Sequence, residues 1–192
     1  MSDFYMGLDL SQRAAGCAVI EDDGSIPFSL SARDVRPCFH DVWGYSLKKD
    51  ATPKEKTERQ VYIAKKIIQA AKLHMVGSGT LHIAIENYAF STVKNAKGRS
   101  FQSSSQTGLA ELQGVVKSQL LLALSIFPTV YSVKTARMVV FGNGNFEKSK
   151  IKPTLTEWGM EFKDDNDADA YVIAECHRQK MKGWTDERRR KK

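Results

Sequence analysis

The sequence predicts an α/β fold: a mixed sheet whose first strands run antiparallel, with helices on both faces. Three observations predict it. Residues 6–20 set apolar positions around a polar turn at Ser11, Gln12 and Arg13, as a β-hairpin does. Residues 81–85, Leu-His-Ile-Ala-Ile, are a short apolar run of the kind that fills a buried and often parallel strand. Stretches with helical spacing stand between and after these segments, so strands and helices alternate along the chain. A chain of 192 residues fits one domain with a proper core, expected over residues 1–183, with residues 184–192 as a basic, disordered tail.

Taken in order, Asp22-Asp23-Gly24 signals a turn, and residues 26–35 alternate well enough for a third antiparallel strand. Residues 37–49 have no clear period, although Phe39, Trp43 and Tyr45 argue that they pack. Thr52-Pro53-Lys54-Glu55 then supplies an N-cap, a proline at the first helical position and a capping-box Glu. Val61, Ala64, Ile67, Ile68 and Ala71 follow at helical spacing, so a helix is expected over residues 53–73. Residues 87–105 mix Tyr88, Phe90 and Phe101 with Lys94, Lys97 and Arg99, contain no acid, and form an anion-seeking loop. Leu109, Leu112, Val116, Leu120 and Ala123 mark a helix over residues 107–124, in which Gly108 and Gly114 permit close approach.

A strand is expected at residues 129–133, a helical or turn segment at 134–140, and a tight loop at 141–145. The helix at residues 147–158 should kink or restart at Pro153, and residues 164–182 make the last helix. The loop Gly142-Asn-Gly144 is no nucleotide cradle. It lacks the third glycine of the dinucleotide fingerprint, and Lys148 is not preceded by the glycine of a phosphate-binding loop.

Composition narrows the function. The net charge of +7 favours a polyanionic partner, but residues 177–192 hold eight Lys or Arg against two acids, so the rest of the chain is nearly neutral and its basic sites must be local. No apolar run reaches the roughly 18 residues of a membrane span, and no signal-peptide pattern opens the chain, so a cytoplasmic protein without membrane contact is expected. Cys17, Cys38 and Cys176 lie far apart with no CxxC pair, which predicts reduced thiols and not zinc ligands.

The chemistry rests on carboxylates. Asp9 sits among Met6, Leu8 and Leu10, where an ionised acid is costly unless it is paired, bound to a cation, or turned to the amides of its own turn. Glu86 ends the apolar strand, and Asp169 lies among Ala168, Ala170, Ile173 and Ala174 in the last helix. On that helix Asn166 and Asp165 share a face with Asp169, whereas Asp167 points roughly 160° away at 100° per residue. Asp164, Asp165 and Asp167 also suit the ordinary task of capping a first helical turn. Asp9, Glu86, Asp169 and the amide oxygen of Asn166 form a set of hard ligands for Mg²⁺, with Mn²⁺ as substitute. Two such ions can activate water and stabilise the leaving oxygen in phosphodiester hydrolysis. Phe90 and Phe101, beside Lys94, Lys97 and Arg99, suit stacking on an unpaired base with cations on phosphates, although the aromatics also suit a core.

Gly-Leu-Asp9-Leu-Ser, Ala-Ile-Glu86-Asn-Tyr, Phe-Gly-Asn-Gly-Asn-Phe-Glu-Lys148-Ser and Asn-Asp-Ala-Asp169-Ala resemble the successive motifs of the RuvC-like Holliday-junction resolvases of the RNase H-like superfamily, phage-type members above all. The resemblance runs in register to about His177, omitting residues 37–49 and the tail. It implies a RuvC-like nuclease domain over residues 1–183 and an RNase H-like mixed sheet. It further implies a homodimeric, Mg²⁺-dependent endonuclease of a bacterial or phage-infected cell that cuts opposed strands of four-way DNA junctions. By position Asp9, Glu86 and Asp169 fall on metal-binding acids, and Asn166 on a position that is Asp or His elsewhere. Lys134, Arg137 and Lys148 fall on basic residues near the scissile backbone, and Lys150 and Lys152 extend that patch.

Two other classes remain open at the level of sequence. One is a junction-binding structural protein with weak or lost cleavage, motivated by Asn166. The other is an actin-like ATPase domain, which needs two such domains and roughly twice this length.

Overall fold

The structure, a computed structural model, describes residues 2–11, 14–22, 37–44, 47–48, 50–75, 79–87, 93–94, 100–101 and 104–184. Strand β1 (Asp3–Leu10) pairs antiparallel with β2 (Ala14–Asp22), in a register that sets Asp9 opposite Gly16. On its other edge β1 runs parallel to β5 (Leu81–Asn87), which runs parallel to β8 (Thr129–Ser132). The predicted strand at residues 26–35 lies outside the described residues. Among the described residues the outer partners of β2 come from the segment of no clear period: β3 (Pro37–Phe39) and β4 (Val42–Trp43), both antiparallel to it. Six strands thus form one mixed sheet.

Helix α1 (Pro53–Leu73) has the predicted bounds, because its start is written locally: Thr52 Oγ1 accepts from the Glu55 amide at 3.2 Å, and Glu55 Oε2 accepts from the Thr52 amide at 2.7 Å. Helix α2 (Ser104–Leu124) begins three residues earlier than predicted. Residues 93–94 and 100–101, expected as loop, pair as a two-stranded ribbon, β6 (Val93–Lys94) and β7 (Ser100–Phe101). Helix α3 (Val133–Phe141) stops at Gly142, whose φ of 78° is the left-handed conformation that favours glycine, so this residue is a helix cap. The next helix does not restart at Pro153: α4 (Lys148–Glu157) runs through it as one short element that forgoes a single backbone donor there.

Helices cover both faces of the sheet. Met6, Leu8, Cys17, Val19, Ile83 and Ile85 pack with Ile63, Ile67, Leu112 and Val116 of α1 and α2. On the opposite face, Tyr5, Ala18 and Ile20 pack with α3, α4 and α5 (Asp165–Met181). Helix α5 rests directly on the backbone of the hairpin: a Cβ at Gly7 would lie 2.1 Å from the Ala170 carbonyl, and one at Gly16 would lie 2.1 Å from that of Asn166. Sandwiched between sheet and outer helices, α5 is buried all round from Asp167 to Arg178.

That burial revises the assignment of charge. Arg178, 1 % exposed, donates from Nε and Nη2 to Glu175 at 2.8 Å each and from Nη1 to Asp22 at 3.2 Å, tying α5 to β2. Lys182 also pairs with Asp22, Lys180 lies over the Trp184 ring, and His177 Nδ1 meets the Tyr131 hydroxyl at 2.9 Å. Three of the cations counted with the basic C-terminus are therefore engaged by the folded body, as is Trp184, which is buried against it. Residues 185–192 lie outside the described residues. Cys17, Cys38 and Cys176 are free thiols. No described helix is long and apolar enough to cross a membrane.

Candidate active site

Because β1 and β5 are parallel, Asp9 near the end of one and Glu86 near the end of the other share the carboxyl edge of the sheet. Asp9 is on the α5 face, two residues beyond Gly7, and the first turns of α5 overhang that edge. They bring Asp169, 7 % exposed, near enough to Asp9 and Glu86 for its charge to act on both, with the backbone carbonyl of Asn166 over Gly16, the register partner of Asp9. From the start of α4 Lys148 Nζ reaches Asp169 Oδ2 at 2.7 Å. The edge is steadied from behind, where Gln113 Nε2 of α2 donates to the Glu86 carbonyl at 3.2 Å.

Electrostatics mark the cluster as strained without a cation. Burial, then the charges of Glu86 and Asp169, push the Asp9 carboxyl up to about 8 against the pull of Lys148. Glu86 is raised by burial and by Asp169, with Lys148 and Arg137 opposing. Burial disfavours the Lys148 charge, but its hydrogen bond to Asp169 and the charges of Asp169, Asp9 and Glu86 outweigh this and raise its pKa. Carboxylates from three elements, each pair close enough for one charge to raise the other's pKa, are hard oxygen donors of the kind a divalent cation such as Mg²⁺ would take.

No protein-family model matches the chain, and no curated protein matches it in sequence. Solved structures do match its architecture. T. thermophilus RuvC in complex with Holliday junction substrate superposes with a TM-score of 0.64 over 93% of this chain and 94% of that one, at 16% identity. A second Thermus thermophilus RuvC structure gives 0.63 over 95% and 96%, at 15% identity. The fold is RuvC-like.

Within the RuvC-like fold, the segments that carry Asp9, Glu86, Lys148 and Asp169 converge on one edge. Asp164 caps α5, accepting from the amides of Asn166 at 2.9 Å and Asp167 at 3.1 Å. Asp165 lines a recess with Lys148, Lys152 and Asp169. Asp167 lines a different recess, with His40, Asp41 and Lys163, and Asn166, expected on the face of Asp169, lines that recess too and not the one that holds Asp169.

The remaining basic residues divide. Arg137 is held by the fold, its Nη1 donating to the Phe146 carbonyl at 2.8 Å, and it influences the site through its charge on Glu86. Lys150 turns to Glu147 at 3.0 Å on the surface, a contact worth little. Lys134 is exposed in the first turn of α3, close behind the end of β8. Phe90, Lys97 and Arg99 lie outside the described residues, and of Lys94 and Phe101 only the backbone pairing is described. Gln113 was not singled out by the sequence. Its one signal is a polar residue beside the apolar stripe of α2.

The acid cluster predicts a pH dependence. The folded state keeps on Asp9 a proton that the unfolded chain releases near its ordinary value of 3.8, so this contribution is full below about pH 4 and is lost as pH rises through about 8. In EDTA the melting temperature should therefore fall over that window, and less steeply in Asp9→Asn. Parallel profiles for the two proteins would overturn the assignment.

Proposed function

We propose that this chain is a metal-dependent, structure-selective endonuclease that resolves four-way DNA junctions by hydrolysing phosphodiester bonds in opposed strands. The observation that carries the reading is the convergence of Asp9, Glu86 and Asp169, from three elements of a RuvC-like fold, beside Lys148. Asp9, Glu86 and Asp169 would hold Mg²⁺ or Mn²⁺, with Asn166 contributing an amide oxygen. When bound, such ions supply an activated water and stabilise the leaving oxygen. Lys148 offsets the charge of the acids and keeps its proton, so it can hold a phosphate oxygen at the edge. Lys152, in the recess with Asp169 and Lys148, and Lys134, two residues beyond the end of β8, would position the backbone. Incubating the full chain with a labelled mobile four-way junction, in Mg²⁺ and in EDTA, tests this: paired nicks in Mg²⁺ alone are expected. Tight junction binding with no nick in Mg²⁺ or Mn²⁺ would favour a structural junction binder instead.

Asn166 should make the demand for metal high, because a neutral amide holds Mg²⁺ less firmly than a carboxylate. Asn166→Asp is expected to lower the Mg²⁺ needed for half-maximal nicking severalfold. If Asp165, which shares the recess of Asp169, already serves, Asp165→Asn cripples nicking and Asn166→Asp changes little. Mg²⁺ titrations of both variants separate these cases, and flat results for both would leave only the three acids as ligands.

Two opposed cuts require two active sites, and α2 offers a surface for a twofold partner. A Cβ at Gly114 would meet nothing within 4 Å in this chain, and Leu122 is 79% exposed beside half-exposed Leu121. Sedimentation at micromolar concentration should show a dimer, and Leu122→Asp a monomer with reduced paired cutting. A wild-type monomer, with or without junction, would end this part of the reading.

A further inference from the structure

Among the described residues a second group of ligand-type side chains stands away from the acids. Cys38 in β3, His40 just beyond it and His74 at the end of α1 bring one sulfur and two imidazole nitrogens within 4.8 Å of one another. His40 Nε2 lies 2.8 Å from His74 Nε2 and 3.8 Å from Cys38 Sγ. Cys38 is the register partner of Val19, which packs toward α1, so the group sits on the α1 face of the sheet, whereas Asp9 sits on the α5 face.

We propose that Cys38, His40 and His74 form a binding site for a borderline-soft divalent metal of the Zn²⁺ class, clipping the edge strand β3 to the end of α1. One thiolate with two imidazoles is a donor set for Zn²⁺ and a poor one for Mg²⁺. Around a tetrahedral ion, Zn–N of about 2.0 Å and Zn–S of about 2.3 Å put two nitrogens about 3.3 Å apart and nitrogen and sulfur about 3.5 Å apart, so the two spacings made by His40 need change by only about half an ångström, and Cys38 Sγ and His74 already lie within 4.8 Å. Two Nε2 atoms aimed at each other suit either a single shared proton or a cation between both lone pairs. The thiol beside them, in place of a second hydrogen-bond acceptor, favours the cation. Burial lowers the pKa of both rings and so keeps them in the neutral form that ligates. Glu21 acts on the charge of His74, and the fourth position would fall to water. The location has a mechanical reason: β3 is three residues long and has few ladder bonds of its own to hold it.

The test uses the metal-free full chain carrying Asp9→Asn and Asp169→Asn, so that the acid edge does not contribute. Titration with Co²⁺ should develop the intense visible bands of a tetrahedral ion and a thiolate charge-transfer band, complete at one equivalent and displaced by Zn²⁺. Cys38→Ser, at an exposed position, should abolish the charge-transfer band. His40→Gln and His74→Gln should each weaken Co²⁺ binding at least about tenfold. Cys176→Ser should change neither band nor affinity. Zn²⁺ should raise the melting temperature of the parent but not of Cys38→Ser, with both melting alike in EDTA. Octahedral bands only, no bands at one equivalent, or a charge-transfer band that survives Cys38→Ser would each overturn the proposal. This site is independent of the nuclease reading, which none of these outcomes touches.

Discussion

Asp9→Asn and Asp169→Asn are each expected to lower junction cleavage in Mg²⁺ by at least about a thousandfold while leaving junction binding near wild type. On the proposed reading each substitution removes an oxygen ligand from an edge where three acids together would hold the ion. The basic residues proposed to meet the phosphate backbone, Lys134 and Lys152 among them, are left in place, so that affinity should persist. Asp9→Asn has an internal control. It also removes the most strained charge of the cluster, so the metal-free variant should melt no lower than wild type, and lost cleavage cannot be laid to lost folding. In Asp169→Asn the partner of Lys148 is lost, which frees the ammonium rather than burying it, since Lys148 is itself largely exposed. Cleavage at the wild-type rate by either variant, measured on a labelled junction, would falsify the site assignment.

Gly7→Ala is expected to destabilise the protein by at least about 3 kcal/mol, or to prevent folding, although it adds only one methyl group and alters no side chain of the site. The added carbon would lie 2.1 Å from the Ala170 carbonyl oxygen and 2.4 Å from the Ala174 nitrogen. Both are backbone atoms of a helix buried on every side, so no rotamer change relieves the clash and α5 must move off β1 as a body. Any variant that folds would then carry Asp169 away from Asp9 and lose cleavage as well. Urea unfolding measures the first effect. A loss below about 1 kcal/mol would show that α5 does not rest on the hairpin as described. Within the chain Gly114→Ala meets no such obstacle, so a defect there would report on a partner copy.

Much of this was written locally. The capping box at Thr52 and Glu55, the apolar run ending in Glu86 and the alternation around Asp9 each concern residues a few positions apart, where spacing alone decides which groups meet. From these the sequence by itself determined the mixed sheet, the helices on its two faces and the identity of three acids that needed partners. Tertiary structure decided the rest, because it concerns atoms brought together across long separations in the chain. It alone showed that residues 37–43, a stretch too short and irregular to declare itself, supply strands outside β2. It moved Arg178 from a basic terminus into a buried network with Glu175 and Asp22, since a cation on a helix reads the same whether its neighbours are water or carboxylates. It also joined Cys38 and His40 to His74, whose separation along the chain hid a common ligand set. The same reason holds for Gly7: its lack of a side chain has meaning only once α5 lies across it.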